Sequence, residues 1–190
     1  AERANLPDVI KLREIPKPAD VPRDEKRFVS ATDDQYAWIR SLTEMRRAMV
    51  SNTHARIFVG GQARAATPRS GVAEEFVLAL RAMQPIYLCG GFGGMTADLI
   101  EAIRGGTPES LTDDFQMATP ERRQAANQYN ATESGQQFPI DYSRLRQELA
   151  AAGMEGLRNG LDRADNERLF KSQSVDEIVG LIRAGINAAL

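Results

Sequence analysis

Ile57-Phe58-Val59-Gly60-Gly61-Gln62 and Pro85-Ile86-Tyr87-Leu88-Cys89-Gly90-Gly91-Phe92-Gly93-Gly94 are the two stretches on which the reading of this chain turns. Each is a short apolar run that stops at paired glycines. A helix-like stretch, Gly71 to Met83, lies between them, and another follows from Gly94 to Arg104. The order is strand, loop, helix, strand, loop, helix. Parallel neighbours in such a sheet bring both glycine turns to one edge, where open α/β folds bind their ligands. The expected fold class is α/β with a mostly parallel sheet. The expected site is a pocket for a phosphate-bearing small molecule.

Bulk properties narrow the function classes. A chain of 190 residues is the size of one domain with a sizeable core. Its 42% hydrophobic and 26% charged residues are ordinary for a globular protein. A net charge of -2 supplies no electrostatic drive toward nucleic acid or an anionic membrane. No apolar run approaches the roughly 20 residues of a membrane span, and no signal peptide is visible. The single cysteine, Cys89, rules out an intrachain disulfide and fits a reducing, cytoplasmic setting. One His and one Cys cannot make a standard zinc site, so no metal and no required cofactor is expected.

Residues 1–33 are charged and rich in proline (Pro7, Pro16, Pro18, Pro22), and read as an extended N-terminal segment with one possible strand, Val9 to Ile15. Residues 34–190 form the expected domain. Two strands ending in glycine are few for a parallel sheet, so a further N-terminal strand from upstream sequence is expected. A helix should start at Asp33 or Asp34 and run to Val50, with Trp38, Ile39, Leu42, Met45 and Met49 on one apolar face. Residues 107–140 read as an irregular insertion, with a helix starting at Thr119-Pro120-Glu121 and a solvated linker from Asn127 to Phe138. Helices are expected over Asp141 to Ala152 and Asp162 to Phe170. Ser174-Val175-Asp176-Glu177 forms a capping box before a final amphipathic helix. Its apolar face and that of the Asp34–Val50 helix are candidate oligomer surfaces and equally good core faces.

The candidate site follows from the glycines. Gly90, Gly91, Phe92, Gly93 and Gly94 let backbone approach a ligand, and the helix after them offers free N–H groups at Met95 and Thr96 to an anion. The alternative is a tight strand-to-helix turn that binds nothing. Gly60, Gly61 and Gln62 form the opposite lip. Arg64 and Arg69 follow in the same loop, and their planar forks suit phosphate; the alternative is a pair of solvated arginines. Gly71, Glu74 and Glu75 open the next helix. Either carboxylate could hold ribose hydroxyls or act as an acid/base, and either could simply complement the helix dipole. His54 lies at the wrong end of its strand for this site, and Cys89 reads as a buried small hydrophobe.

The segment Ala55 to Arg104 resembles the SLOG superfamily of Rossmann-like domains, which includes the Lonely Guy phosphoribohydrolases. Their Pro-Gly-Gly-x-Gly-Thr-x-x-Glu signature is met here by Cys89-Gly90-Gly91-Phe92-Gly93-Gly94-Met95-Thr96-Ala97. The glycines match; the Pro, the Thr and the catalytic Glu do not, and Asp98 falls one position late. Val59-Gly60-Gly61, the stretch Arg69 to Glu75, and Gly90 to Gly94 look more like the SLOG domains of bacterial conflict and immunity proteins. The resemblance implies a Rossmann-like three-layer domain that senses a nucleotide or an NAD-derived, ADP-ribose-type signal, cyclic forms included. It further implies a homo-oligomer and a fused or partner effector of TIR or NADase type in antiviral defence. The rival reading is a nucleotide N-glycosidase in which Glu74 or Glu75 replaces the missing carboxylate. A scaffold domain without ligand is the third.

Overall fold

The computed structural model describes residues 37–64 and 67–189. Two short strands organise it, β1 (Arg56–Val59) and β2 (Ile86–Cys89). They pair in parallel, with Arg56 opposite Ile86 and Val59 opposite Cys89. Both strands therefore end level, and both glycine turns leave from one edge. Helix α1 (Ala37–Ser51) precedes β1, α2 (Gly71–Arg81) joins the strands, and α3 (Gly94–Ile103) follows β2. Then come α4 (Asp113–Gln116), α5 (Pro120–Asn130), α6 (Glu133–Gln137), α7 (Tyr142–Ala152), α8 (Arg163–Lys171) and α9 (Val175–Ala189). The expected strand Val9 to Ile15 and the position of the Trp38 side chain lie outside the described residues.

β2 carries the core because all four of its side chains are fully buried. Such a continuous apolar run is what a parallel strand covered on both faces requires. Ile86 and Leu88 join Phe58 in one cluster with Phe76, Val77, Leu99 and Ile103. Tyr87 and Cys89 point the other way, into a cluster with Leu169 of α8 and Ile178, Leu181 and Ile182 of α9. Each such side chain contributes about 1.5–3 kcal/mol on burial. β1 is covered less evenly. Phe58 is buried, while Ile57 and Val59, on the face shared with Tyr87 and Cys89, are 53% and 56% exposed.

The turn and cap signals in the chain act as elementary chemistry dictates. Ser70, Thr119, Asp141 and Asp162 accept N–H groups from the first turns of α2, α5, α7 and α8. Gly153 ends α7 at φ 55. Only half of the Ser174 capping box forms. The Ser174 hydroxyl accepts from the Glu177 N–H at 3.4 Å, but the Glu177 carboxylate turns to Ser172 (2.7 Å) and Arg168.

Three local expectations are corrected. Asn127 to Phe138 is not a solvated linker: it holds the end of α5 and all of α6, and it buries Tyr129 and Phe138. Ala126 and Tyr129 anchor α5 at a spacing of three, a stripe too narrow to stand out among polar neighbours. α2 stops at Arg81, short of the expected end at Met83, which sits beyond it at φ 56 and exposed. On α1, Thr43 takes an inward position and Met45 is exposed.

The second edge of β2 is closed by a side chain. Asn159 Nδ2 donates to Ile86 O (2.8 Å) and to Asn166 Oδ1 (2.8 Å), and Asn159 O accepts from the Tyr87 hydroxyl (2.9 Å). Asn159 Oδ1 accepts from Leu161 N–H (3.1 Å). Asn159→Ala would leave Ile86 O and Leu161 N–H unpaired in a buried site. It is expected to lower unfolding free energy by about 2 kcal/mol or more, read from urea midpoints.

Candidate functional site

The two glycine corners meet, and backbone joins them. Met95 N–H donates to Gly61 O (3.1 Å) and Thr96 N–H to Gly60 O (2.9 Å), and the Thr96 hydroxyl also donates to Gly60 O (2.8 Å). The first turn of α3 is thus bonded to the end of β1. Gly60 and Gly61 reach this arrangement at φ 61 and 99, and Gly93 and Gly94 at φ 69 and 64. A Cβ on Gly94 would collide with Gly61 O. The expectation that the Met95 and Thr96 N–H groups hold phosphate is therefore corrected: both serve protein carbonyls, and both side chains are fully buried.

The surface of the corner is made by other groups. Gly61, Gln62, Arg64, Phe92 and Gly94 are exposed, Gly60, Gly91 and Gly93 are half-buried, and Gly90 is buried. Phe92 is 49% exposed at the tip of the turn Gly90–Phe92. Gly90 and Gly91 are held against the backbone of Phe170 and Ser172 at the end of α8. Gln173 Nε2 donates to Gly91 O (2.7 Å).

The loop from Gln62 to Ser70 is pinned from the region that reads as an irregular insertion. Gln116 Nε2 donates to Ala63 O (2.5 Å) and Arg122 to Thr67 O (2.7 Å). The Arg64 guanidinium lies 4.3 Å from the Phe115 ring centroid and donates to Phe115 O (3.1 Å). The Tyr142 hydroxyl donates to Pro68 O (2.9 Å) and accepts from Ser70 N–H (2.8 Å). Burial pushes that phenol up to about 12, so it stays a donor at neutral pH. These contacts span about 50 to 75 residues of sequence, and no local spacing announces them.

Arg69 and Glu74 are placed away from the corner surface. Glu74 is buried on the inner side of α2, and accepts from Thr43 (2.5 Å), Arg46 (2.5 Å) and Arg69 (2.8 Å). The Arg69 guanidinium is enclosed between the Tyr129 and Phe138 rings (4.8 and 4.5 Å) and donates to Phe138 O. Gly71 leaves room for the Arg46 guanidinium. Glu75 pairs with Arg56 (3.0 Å) and lies 3.5 Å from Arg46 Nε. Both carboxylates are occupied by arginines, which leaves them poorly placed for acid/base work on a ligand.

The remaining groups are bystanders. His54 is exposed before β1, at the opposite end from the corners. Cys89 is buried, and burial pushes its thiol up, which makes it a weak nucleophile. Among the described residues no group of three or more His, Cys, Asp or Glu is placed to hold a metal ion. No described helix is long and apolar enough to cross a membrane. A cleft of about 580 Å³ opens between the end of α3 and the start of α8, beside Arg104 and Arg158, and a cavity of about 40 Å³ lies between α2 and α7. Neither contains a glycine of the corners.

The stitched corner predicts a difference between two small substitutions. Thr96→Val removes one hydroxyl donor and is expected to cost about 1 kcal/mol. Gly94→Ala combines an unfavourable positive φ with a backbone collision and is expected to cost about 3 kcal/mol or more. Thermal and urea unfolding of both variants check the order.

Comparison with protein-family models matches residues 1–169 to the one described as SLOG cluster2. Comparisons with curated proteins and with solved structures find no match. A family match over most of the chain, on a parallel β-α-β unit whose glycine corners meet at one edge, establishes that this protein belongs to the SLOG cluster2 family, within the Rossmann-like SLOG superfamily.

Proposed function

We propose that the glycine corner binds a nucleotide or an NAD-derived, ADP-ribose-type ligand, and that the chain works as a sensor domain. Family membership supports a nucleotide-related function at the coarse level. The observation that carries the finer reading is the bonded junction of Gly60-Gly61 with the first turn of α3. It presents a rigid, glycine-lined lip at the C-terminal ends of parallel strands. In this reading exposed backbone at Gly61 and Gly94 faces phosphate, with Gly60, Gly91, Gly93 and Gln62 beside it. Arg64 supplies the cation, and Phe92 offers an exposed ring to the base. Arg69, Gly71, Glu74, Met95 and Thr96 then act as positioning residues that hold the lip. Glu75 fixes α2 against β1 through Arg56.

The helices on both faces of β2 fit the three-layer arrangement of a Rossmann-like domain, with β1 available to further strands. Ligand binding at a lip bonded to two helices would shift packing that differs by only a few kcal/mol, and so signal to a fused or partner effector of TIR or NADase type in the cytoplasm. The sensor reading is preferred to N-glycosidase chemistry because Glu74 and Glu75 are engaged by arginines.

Isothermal titration of the chain with ADP-ribose, its cyclic isomers, NAD and AMP tests the reading. Micromolar binding of at least one is expected, and Arg64→Ala should weaken it about 10-fold, roughly 1.4 kcal/mol. Absence of heat with every probe overturns ligand sensing. Release of free base that vanishes in Glu75→Gln favours the glycosidase.

A further inference from the structure

Helix α9 buries one side and leaves the opposite side uncovered. Ile178, Leu181, Ile182 and Gly185 face the core. Asp176, Val179, Gly180 and Arg183 are exposed. At about 100° per residue these four fall within one quadrant or so of the helix, pointing away from the core. Val179 is 48% exposed, and Val175 on its flank is 68% exposed. Nothing lies within 4 Å of where a Gly180 Cβ would be. Neither Asp176 nor Arg183 has an ion-pair partner among the described residues.

The order of these residues is self-complementary. Asp176 and Arg183 stand at equal distances, about 5 Å along the axis, on either side of the midpoint between Val179 and Gly180. Turning a second α9 antiparallel about that midpoint sets Asp176 of one copy opposite Arg183 of the other, twice. Both Val179 side chains then meet at the two-fold axis. The two Gly180 positions let the backbones approach closely. An unrelated partner has no reason to match this symmetry, whereas a closed two-fold contact requires it.

We propose that α9 is the self-association surface of this chain, and that two copies pair through it as an antiparallel, isologous dimer. The pairing uses the side of α9 turned away from Tyr87 and Cys89 of β2. Salt weakens it, since its charge pairs are at the surface.

Sedimentation velocity on the full 190-residue chain, from micromolar to hundreds of micromolar, tests the proposal. A concentration-dependent dimer is expected. Arg183→Asp should raise its dissociation constant at least 10-fold, and adding Asp176→Arg to that variant should restore association. Gly180→Leu should also break the dimer while making α9 a better helix, so unfolding cannot explain the loss. A chain that stays monomeric, as it would if this face takes a different protein, overturns the proposal. So does a dimer indifferent to Arg183→Asp or Gly180→Leu, or a double reversal that fails to restore association.

Discussion

The close approach of the first turn of α3 to the end of β1 governs this molecule. A helix start leaves N–H groups without intrahelical partners, and buried ones must find acceptors. Here Gly60 O and Gly61 O accept them. The geometry needs a residue without a side chain at Gly94 and positive φ at four glycines. Once made, it fixes the pitch of α3 and with it the packing of Leu99 and Ile103 against β2. It also fixes the shape of the lip that faces solvent. A preformed lip spares a ligand the cost of ordering it.

A second tier of structure supports the first. The loop after β1 is tied from within by Glu74, Arg69, Arg46 and Thr43, which join α1, α2 and the chain at Phe138. From outside it is tied by Gln116, Arg122 and Tyr142. A buried carboxylate is tolerated only with such complete pairing, since removing one partner of a buried pair strands the other. That requirement explains why Arg69 and Glu74 face inward although they flank the edge where the strands end. Arg64, beside Phe115 at the surface, keeps an exposed guanidinium.

Much of the frame is legible in the sequence because it rests on local rules. Apolar runs ending in glycine marked both strands and the parallel pairing between them. Thr119 and Asp141 marked helix starts. The interior of the site was less legible. Whether Met95 and Thr96 offer their N–H groups to a ligand or to Gly61 and Gly60 depends on how close α3 comes to β1, which no pattern within α3 encodes. The same holds for Arg69, whose fate is set by Tyr129 and Phe138 about 60 to 70 residues later. The end of α5 and all of α6 escaped notice because two anchors, Ala126 and Tyr129, over a polar sequence leave little periodic signal.

The central claim is that the joined glycine corners form the ligand-facing surface. The most direct measurement is an amide NMR titration of the chain with ADP-ribose, followed residue by residue. The account predicts saturable shifts concentrated at Gly60, Gly61, Gln62, Arg64 and Gly91 to Gly94, with α7 and α8 away from the corner unchanged. Shifts confined to the cleft beside Arg104 and Arg158, or none at these glycines at saturating ligand, would contradict it.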